Sequence, residues 1–193
     1  MFTSINNPLT ESDEQIPHSS PPWVWVGFLF AFAFFVLEIL FVALGLEEHG
    51  IDRILIVILL GGWIYWLVCI HRIHKILAEL THNRYPISPG EAAGYHLIPF
   101  YNLVWIFKWP IQLSEYLNQR GRVKIIPGGL IGTFFLLALL LRFVDGSIGM
   151  LCMFGVLMYV SAKVKQHVKT LRGLTPDQLP PLPDPAIFSG PQT

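Results

Sequence analysis

The stretch from Tyr95 to Arg120, YHLIPFYNLVWIFKWPIQLSEYLNQR, decides how the fold is predicted, because it is strongly apolar but carries two prolines. Its apolar part, from Leu97 to Trp109, has only 13 residues. Runs of about 10–14 apolar residues are more typical of interfacial or re-entrant segments than of spanning helices. Pro99 and Pro110 also predict two half-helices, which are costly in lipid unless other groups satisfy the freed carbonyls. We therefore predict a kinked amphipathic or re-entrant segment over residues 89–120 that does not cross a membrane.

The composition of the chain predicts an all-α integral membrane protein. Hydrophobic residues make up 53% and charged residues only 13% of the 193 residues, whereas a soluble domain carries about 25% charged residues. Four windows are nearly free of charge and approach the length of about 20 apolar residues that a spanning helix needs. We predict two helical hairpins with spans near residues 23–46, 54–70, 125–144 and 147–163.

The predicted membrane domain covers residues 21–172 and is flanked by two disordered tails. Residues 1–20 are polar and aperiodic, and residues 173–193 are rich in proline, so neither segment is expected to form a packed element. The first apolar run starts only at Trp23, and no Lys or Arg precedes it. We therefore predict a retained helix rather than a cleaved signal peptide.

The distribution of basic residues favours four spans over the alternative of five. Seven of the 13 Lys and Arg residues lie between Arg72 and Lys124, and four more lie between Lys163 and Arg172. If the stretch from Tyr95 to Arg120 does not cross the membrane, all of these basic residues lie on one side of it, as the positive-inside rule expects of the cytoplasmic side. We predict a multi-pass protein of the cell inner (cytoplasmic) membrane with both termini in the cytoplasm. If the stretch from Tyr95 to Arg120 crossed the membrane, the protein would have five spans, with its termini on opposite sides.

Glu38 is the only acidic residue in the first predicted span, and an ionisable residue inside a membrane is expensive. Arg142 lies at comparable depth near the outer end of the third span, so we predict that the two residues can form an intramembrane pair. Two interpretations remain open. One is a proton or ion relay, as in a small-solute or ion transporter or channel. The other is a structural role, either as a contact between helices or as a Glu close enough to the interface to reach water.

Three histidines lie at or after the end of the second span. His71 and His74 are one helical turn apart, and His96 follows a predicted turn back towards them. Zinc wants three or four ligands at fixed geometry, and no second His-x-x-His or Glu-x-x-His completes a di-metal set. We predict no metal, no catalytic residue and no cofactor. We expect the histidines to belong to a basic helix face that is attracted to anionic headgroups. An apolar stripe over Ile70–Leu80 would lie on another face of the same helix. The nearby aromatic residues suit the headgroup level. The candidate site for a ligand or partner comprises His71, His74, His96, Asn102, Trp105 and Trp109.

Prolines and glycines mark further structural positions. Ser88-Pro89-Gly90-Glu91 predicts a capping box with a helix that begins at Pro89. Gly61-Gly62 and Gly128-Gly129-x-x-Gly132 predict close contacts between helices. Structural roles are assigned to Pro89, Gly94, Pro99 and Pro110.

Residues 60–120 combine a helix that ends in WLVCIHRIHKI with SPGEAAGYHLIPFYNLVWIFKWPIQLSEYLNQR. This region resembles the bacterial membrane proteins of domain-of-unknown-function family 4328, in which Pro-Gly precedes a small and aromatic run, Pro-x-x-Asn and a second proline. The chain has Tyr95-His96-Leu97-Ile98 where that family is usually rich in Trp. The resemblance implies a polytopic bacterial membrane protein and brings no activity with it. The matching positions are Pro89, Gly90, Gly94, Pro99, Asn102 and Pro110.

No phosphate loop, nucleophile elbow, zinc-protease motif or dinucleotide fingerprint is present in the sequence. We predict a non-enzymatic scaffold, assembly or regulatory component that binds other membrane components. Its expected partners are anionic lipid headgroups and either another membrane protein or a second copy of the chain, without nucleic acid. The alternatives are a transporter or channel that uses Glu38 and, third, a membrane-embedded enzyme that uses the histidines.

Overall fold

The computed structural model describes residues 20–45, 51–80, 87–119 and 124–172, and all regular structure in these ranges is helical. The all-α prediction is thereby confirmed, whereas the two predicted tails lie outside the described residues except for Ser20. The described ranges contain six α-helices and one 3₁₀ turn. In chain order they are α1 Val24–Leu44, α2 Ile51–Leu80, α3 Pro89–Gly94, the turn Tyr95–Leu97, α4 Pro99–Gln119, α5 Gly128–Val144 and α6 Gly146–Arg172.

Among the described residues, three helices are long and apolar enough to cross a membrane. They are α1, the part of α2 from Ile56 onward and the part of α6 up to Leu171. α5 is also apolar but has only 17 residues, which corresponds to about 25 Å of helix. The length and composition of these helices agree with a membrane protein.

α1 runs antiparallel to both α2 and α6. At its start, the hydroxyl group of Tyr65 in α2 donates a hydrogen bond of 2.8 Å to the carbonyl oxygen of Trp23. Near its other end, Glu38 lines a cavity together with Asp145, which directly precedes α6. α1 therefore begins beside the middle of α2 and runs away from the end of the bundle where α2 and α6 finish. We call this end the basic end, because α2 and α6 carry Arg72, Lys75, Lys163, Lys165 and Lys169 towards it.

α5 returns the chain from the basic end to the opposite end, where α6 begins. The start of α5 is fixed by the N–H group of Ile126, which donates to the hydroxyl oxygen of Tyr159 at 3.1 Å. Its end turns directly into α6 at Asp145, whose carboxylate accepts hydrogen bonds from the N–H groups of Ser147 and Ile148. Such a side-chain acceptor satisfies the free donors of a first helical turn. Four helices, α1, α2, α5 and α6, thus alternate in direction along the chain.

Residues 87–119 form a helical hairpin that starts and finishes at the basic end. Its 3₁₀ turn brings the ring of His96 within 4.4 Å of the ring of Trp66, about halfway along α2. α4 then runs back until the ring of Tyr116 packs edge-on against the ring of His167, near the end of α6. The tip of the hairpin therefore lies beside the middle of α2, whereas its first and last residues lie towards the basic end.

The prediction of two half-helices was wrong at Pro110, because α4 continues through this residue as one helix. Pro110 has no N–H group, so the carbonyl group of Ile106 loses its usual helical partner. α5 packs directly over this position. A Cβ atom added to Gly132 would lie 3.1 Å from the Ile106 oxygen, and one added to Gly128 would collide with the backbone of Pro110 and Ile111. The backbone contact with α5 supports the turn that the proline weakens.

The other predicted structural positions lie at helix ends. α3 begins at Pro89 behind the predicted capping box, in which Ser88 and Glu91 exchange two hydrogen bonds of 2.9 and 3.2 Å. Gly94 is the last residue of α3, and Pro99 is the first residue of α4. Proline suits both first positions because the N–H group that it lacks would have no helical partner there.

The buried core lies towards the basic end. The first half of α2 exposes Ile56, Val57 and Ile64, and its second half buries the predicted apolar stripe. The placement of His74 away from that stripe was wrong, because its side chain is fully buried. The hairpin covers a second face of α2, which the helical periodicity alone does not reveal. The buried stripe consists of Ile70, Ile73, Ile76, Leu77 and Leu80.

The predicted glycine contacts are confirmed at Gly128 and Gly132, which face α4, and at Gly62, which faces the side chain of Met150. They were wrong at Gly61 and Gly129, where an added Cβ atom would meet no heavy atom within 4 Å. Only some glycines of each motif therefore serve close packing.

We expect Gly128→Ala to lower the free energy of unfolding by about 1–3 kcal/mol, because its methyl group would meet backbone atoms of α4 that cannot turn aside. The matched control is Gly129→Ala, whose methyl group points into open space and gains helix propensity. Reversible unfolding in mixed detergent micelles measures both. Equal stability of the two variants would contradict the close α4–α5 contact.

Candidate functional site

The predicted histidine and tryptophan residues form a buried cluster between α2 and the hairpin. α2 contributes His74, the 3₁₀ turn contributes His96, and α4 contributes Trp105 and Trp109. None of these four side chains is more than 3% exposed. The prediction of a basic face and an aromatic belt at the headgroup level was therefore wrong for them. The hairpin folds back onto α2. The histidine of α2 therefore faces the histidine and tryptophans of the hairpin, whereas in separate helices all of them would face the surroundings.

His96 and Asn102 hold the turn of the hairpin closed. The Nδ1 atom of His96 lies 2.7 Å from the Oδ1 atom of Asn102, and both side chains are buried. An amide oxygen only accepts, so Nδ1 donates and carries the ring proton. The lone pair of the imidazole then resides on Nε2, which hydrogen-bonds with no residue that the structure describes.

Burial lowers the pKa of His96 to about 4, against the opposing effect of its hydrogen bond to Asn102 and with a smaller contribution from the nearby His74. Removing the imidazolium from water disfavours the charged form. His96 is consequently neutral at pH 7 and offers an unprotonated nitrogen inside the protein.

His74 is held by its own helix and by the rings of α4. Its Nδ1 atom lies 3.0 Å from the carbonyl oxygen of Ile70, to which it donates. Its ring centroid lies 6.3 Å from that of Trp105 and 5.6 Å from that of Trp109. His71 is only half-buried and remains outside the cluster.

The indole groups of the cluster differ in their hydrogen bonds. Trp105 donates its ring N–H to the carbonyl oxygen of Ala92 at 3.2 Å, which ties α4 to α3. The ring N–H groups of Trp66 and Trp109 are buried without an acceptor among the described residues. The cluster therefore offers two donors and the Nε2 lone pair of His96 in an apolar setting. Within the described ranges, no three His, Cys, Asp or Glu side chains are placed to hold a metal ion.

The sequence did not single out Trp66 or Phe135, although both complete the cluster. The ring of Phe135 in α5 lies 6.4 Å from Trp66 and 5.5 Å from Trp109. Trp66 shares the helical face of Ile70 and Ile73, a period that could have identified it. No sequence signal places Phe135, because its contacts depend on how α5 crosses α4.

Glu38 and Arg142 do not form the predicted pair. The Arg142 guanidinium lies over the ring of Trp63 at 4.8 Å, whereas Glu38 lines a cavity of about 360 Å³ together with Asp145. The Oε2 atom of Glu38 is buried and has no hydrogen-bond partner among the described residues. The predicted depth of the two residues in the membrane says nothing about the directions of their side chains. Glu38 points from α1 towards the turn between α5 and α6, and Arg142 points from α5 towards α2. A transport role for Glu38 stays a prediction.

Comparison with known protein families, characterised proteins and solved structures gives no match for this chain. The resemblance to domain-of-unknown-function family 4328 therefore stays a prediction, and so does the enzyme that would use the histidines. The site has to be interpreted from its own geometry.

We expect acid to destabilise the fold through His96. Its pKa is about 4 in the folded chain and about 6.5 when unfolded, so the unfolded state binds the extra proton between these values. Stability is then complete above pH 6.5 and falls by roughly 3 kcal/mol as the pH drops to 4. Unfolding of the wild type and His96→Gln in micelles, followed from pH 7.5 to 4, measures this slope.

In His96→Gln, the glutamine amide can still donate to Asn102, but the titrating ring is gone. The variant should lose this part of the acid sensitivity, even if its stability at pH 7.5 is lower. An unchanged slope would assign the acid sensitivity to other groups and contradict the role of His96.

Proposed function

We propose that α5 crosses the membrane together with α1, α2 and α6, so that the protein has four spans and a hairpin that enters and leaves on one side. The alternating helix directions support this arrangement, because α5 is the helix that returns the chain from the end of α2 to the start of α6. Its 17 residues are short for a hydrocarbon core of about 30 Å. Local thinning of the bilayer accommodates a short span at modest cost.

The proposed orientation turns the basic end, and with it both termini, to the cytoplasm of a bacterial inner membrane. Its basis is the positive-inside rule, which applies to Arg72 and Lys75 of α2, to the basic residues of α6 and to Lys124 before α5.

Single cysteines at Gly90 and Lys124 should react with a membrane-impermeant thiol reagent from the same side, because both residues are exposed near the first and last residues of the hairpin. A cysteine at Val144, which is exposed at the opposite end, should react from the other side. The background chain has Cys69 and Cys152 replaced by alanine. Reaction of Gly90→Cys and Lys124→Cys from opposite sides would contradict the four-span topology.

Within this topology, we propose that the protein is a non-enzymatic assembly or scaffold component that binds another membrane protein through the tip of the hairpin. The observation that carries this proposal is the outward face of the tip, which is apolar and exposed although the opposite face is tightly packed. Phe100 is 88% exposed at its centre. The exposed residues are Leu97, Ile98, Phe100, Leu103 and Val104.

The polar groups of the hairpin support a binding surface better than a reactive site. The side chain of His96 is bonded to Asn102, that of Trp105 to Ala92, and the capping box closes the start of α3. These bonds fix the backbone beneath the apolar face and leave it rigid. A rigid, preorganised surface loses little conformational freedom on binding, and apolar helices in a membrane associate through close side-chain packing. The partner that fits is therefore an apolar transmembrane helix.

We expect a photoreactive benzoylphenylalanine at Phe100 to crosslink a membrane protein in native membranes, because this side chain points away from the hairpin. The matched control is the same substitution at Phe143, which is 84% exposed at the end of α5 and should crosslink lipid only. Mass spectrometry identifies the products. A different protein or a second copy of the chain would each support the proposal, and lipid alone at Phe100 would overturn it.

A further inference from the structure

A groove separates the first turn of α1 from α6 at the basic end. It encloses a cavity of about 370 Å³, with Trp23 and Trp25 on one wall and Met158, Ser161 and Lys165 on the other. The three α6 residues follow each other at intervals of three and four, so they share one face of the helix. The groove is distinct from the histidine cluster and from the hairpin tip.

Ser161 is the buried polar group of this groove. Its side chain is only 7% exposed and lines the cavity, and no hydrogen bond joins its hydroxyl group to any described residue. Buried hydroxyl groups are normally hydrogen-bonded. This hydroxyl group is therefore available to a ligand that enters the groove.

The charges around the groove favour an anion. Lys165 is exposed one helical turn beyond Ser161, and the described chain provides it with no carboxylate partner. The first turn of α1 adds N–H donors that no side chain caps, together with the positive end of the helix dipole. The described residues that line the groove include no acidic side chain.

The apolar parts of the groove show what kind of anion fits. The rings of Trp23 and Trp25 stack at 6.3 Å between centroids and are more than half exposed, and Met158 adds an apolar side chain to the α6 wall. The groove also lies at the start of a helix that is long and apolar enough to cross a membrane. Indole rings at such a position sit at the level of lipid headgroups.

The groove is held in shape before any ligand binds. Tyr65 of α2 donates to the carbonyl oxygen of Trp23, and the ring of Phe154 in α6 packs so closely on Gly27 that a Cβ atom there would collide with it. Both contacts fix the start of α1 relative to its neighbours. A preorganised site orders fewer groups on binding.

We infer that this groove is a binding site for the phosphate group of an anionic phospholipid. Lys165 and the Ser161 hydroxyl group contact the phosphate, the two indole rings flank the headgroup, and the acyl chains continue along the exposed apolar face of α1. The inference rests on the proposed membrane placement of α1, but not on the proposed partner of the hairpin.

Native mass spectrometry of the full-length chain in detergent tests the site with phosphatidylglycerol, phosphatidylcholine of identical acyl chains, and inorganic phosphate. One phosphatidylglycerol should bind more tightly than phosphatidylcholine. Lys165→Gln should weaken this binding by about fivefold, the contribution of one basic residue near an anionic lipid surface. Ser161→Ala should weaken it as well, because the hydroxyl donor is lost. Inorganic phosphate should not displace the lipid.

The matched control is Lys169→Gln, which removes an exposed lysine one turn further along α6 and should leave the affinity unchanged. Equal weakening in Lys165→Gln and Lys169→Gln would show diffuse attraction and overturn the site. Equal binding of both lipids, or displacement by inorganic phosphate, would also overturn it. Melting of each variant checks its folding, and Lys165→Gln decides the outcome if Ser161→Ala is unstable. Crosslinking at Phe100 is independent of these results, so failure of the lipid site and failure of the partner proposal are distinguishable.

Discussion

The backbone of α4 lies directly against the backbone of α5 at Gly128 and Gly132, and the arrangement of the hairpin depends on this contact. Side chains at these positions would hold the helices apart, because helix axes approach closely only over small residues. The close approach allows Trp109 of α4 to meet Phe135 of α5. A hydrogen bond also joins the two helices, because the N–H group of Gly128 donates to the hydroxyl oxygen of Ser114 at 3.0 Å. α5 thus holds the hairpin against α2, and the face of the hairpin that contacts α2 becomes part of the core.

This packing turns the polar groups of the hairpin inward and its apolar groups outward. The Nδ1 atom of His96 donates to the Oδ1 atom of Asn102 at the turn, while Phe100 projects from the opposite face of the same segment. In water such an arrangement would be unfavourable, because the hydrophobic effect drives apolar groups into the core. In a bilayer it is favourable, because lipid accepts apolar side chains and excludes unpaired polar groups. The exposed apolar face of the hairpin therefore agrees with the membrane placement proposed above.

The cavities at the two ends of the bundle differ in the charge of their lining residues. Lysines of α6 and the uncapped start of α1 meet at the basic end, where the groove beside Ser161 favours an anion. At the opposite end, Glu38 and Asp145 line a second cavity, so that end presents carboxylates. Asp145 uses its carboxylate to cap α6, whereas the Oε2 atom of Glu38 is buried without such a bond among the described residues.

Local spacing and composition were enough to predict the helical class, the capping box before α3 and the apolar stripe of α2. These features depend on local spacing and composition, which a single chain displays directly. Packing between helices buries His74, Trp105 and Trp109, keeps α4 continuous through Pro110, and turns Glu38 and Arg142 to different neighbours. Each of these outcomes depends on which face of one helix another helix covers. The hydrophobic period gives the orientation of a helix about its own axis, but the crossing point of two helices is set by the fit of both surfaces.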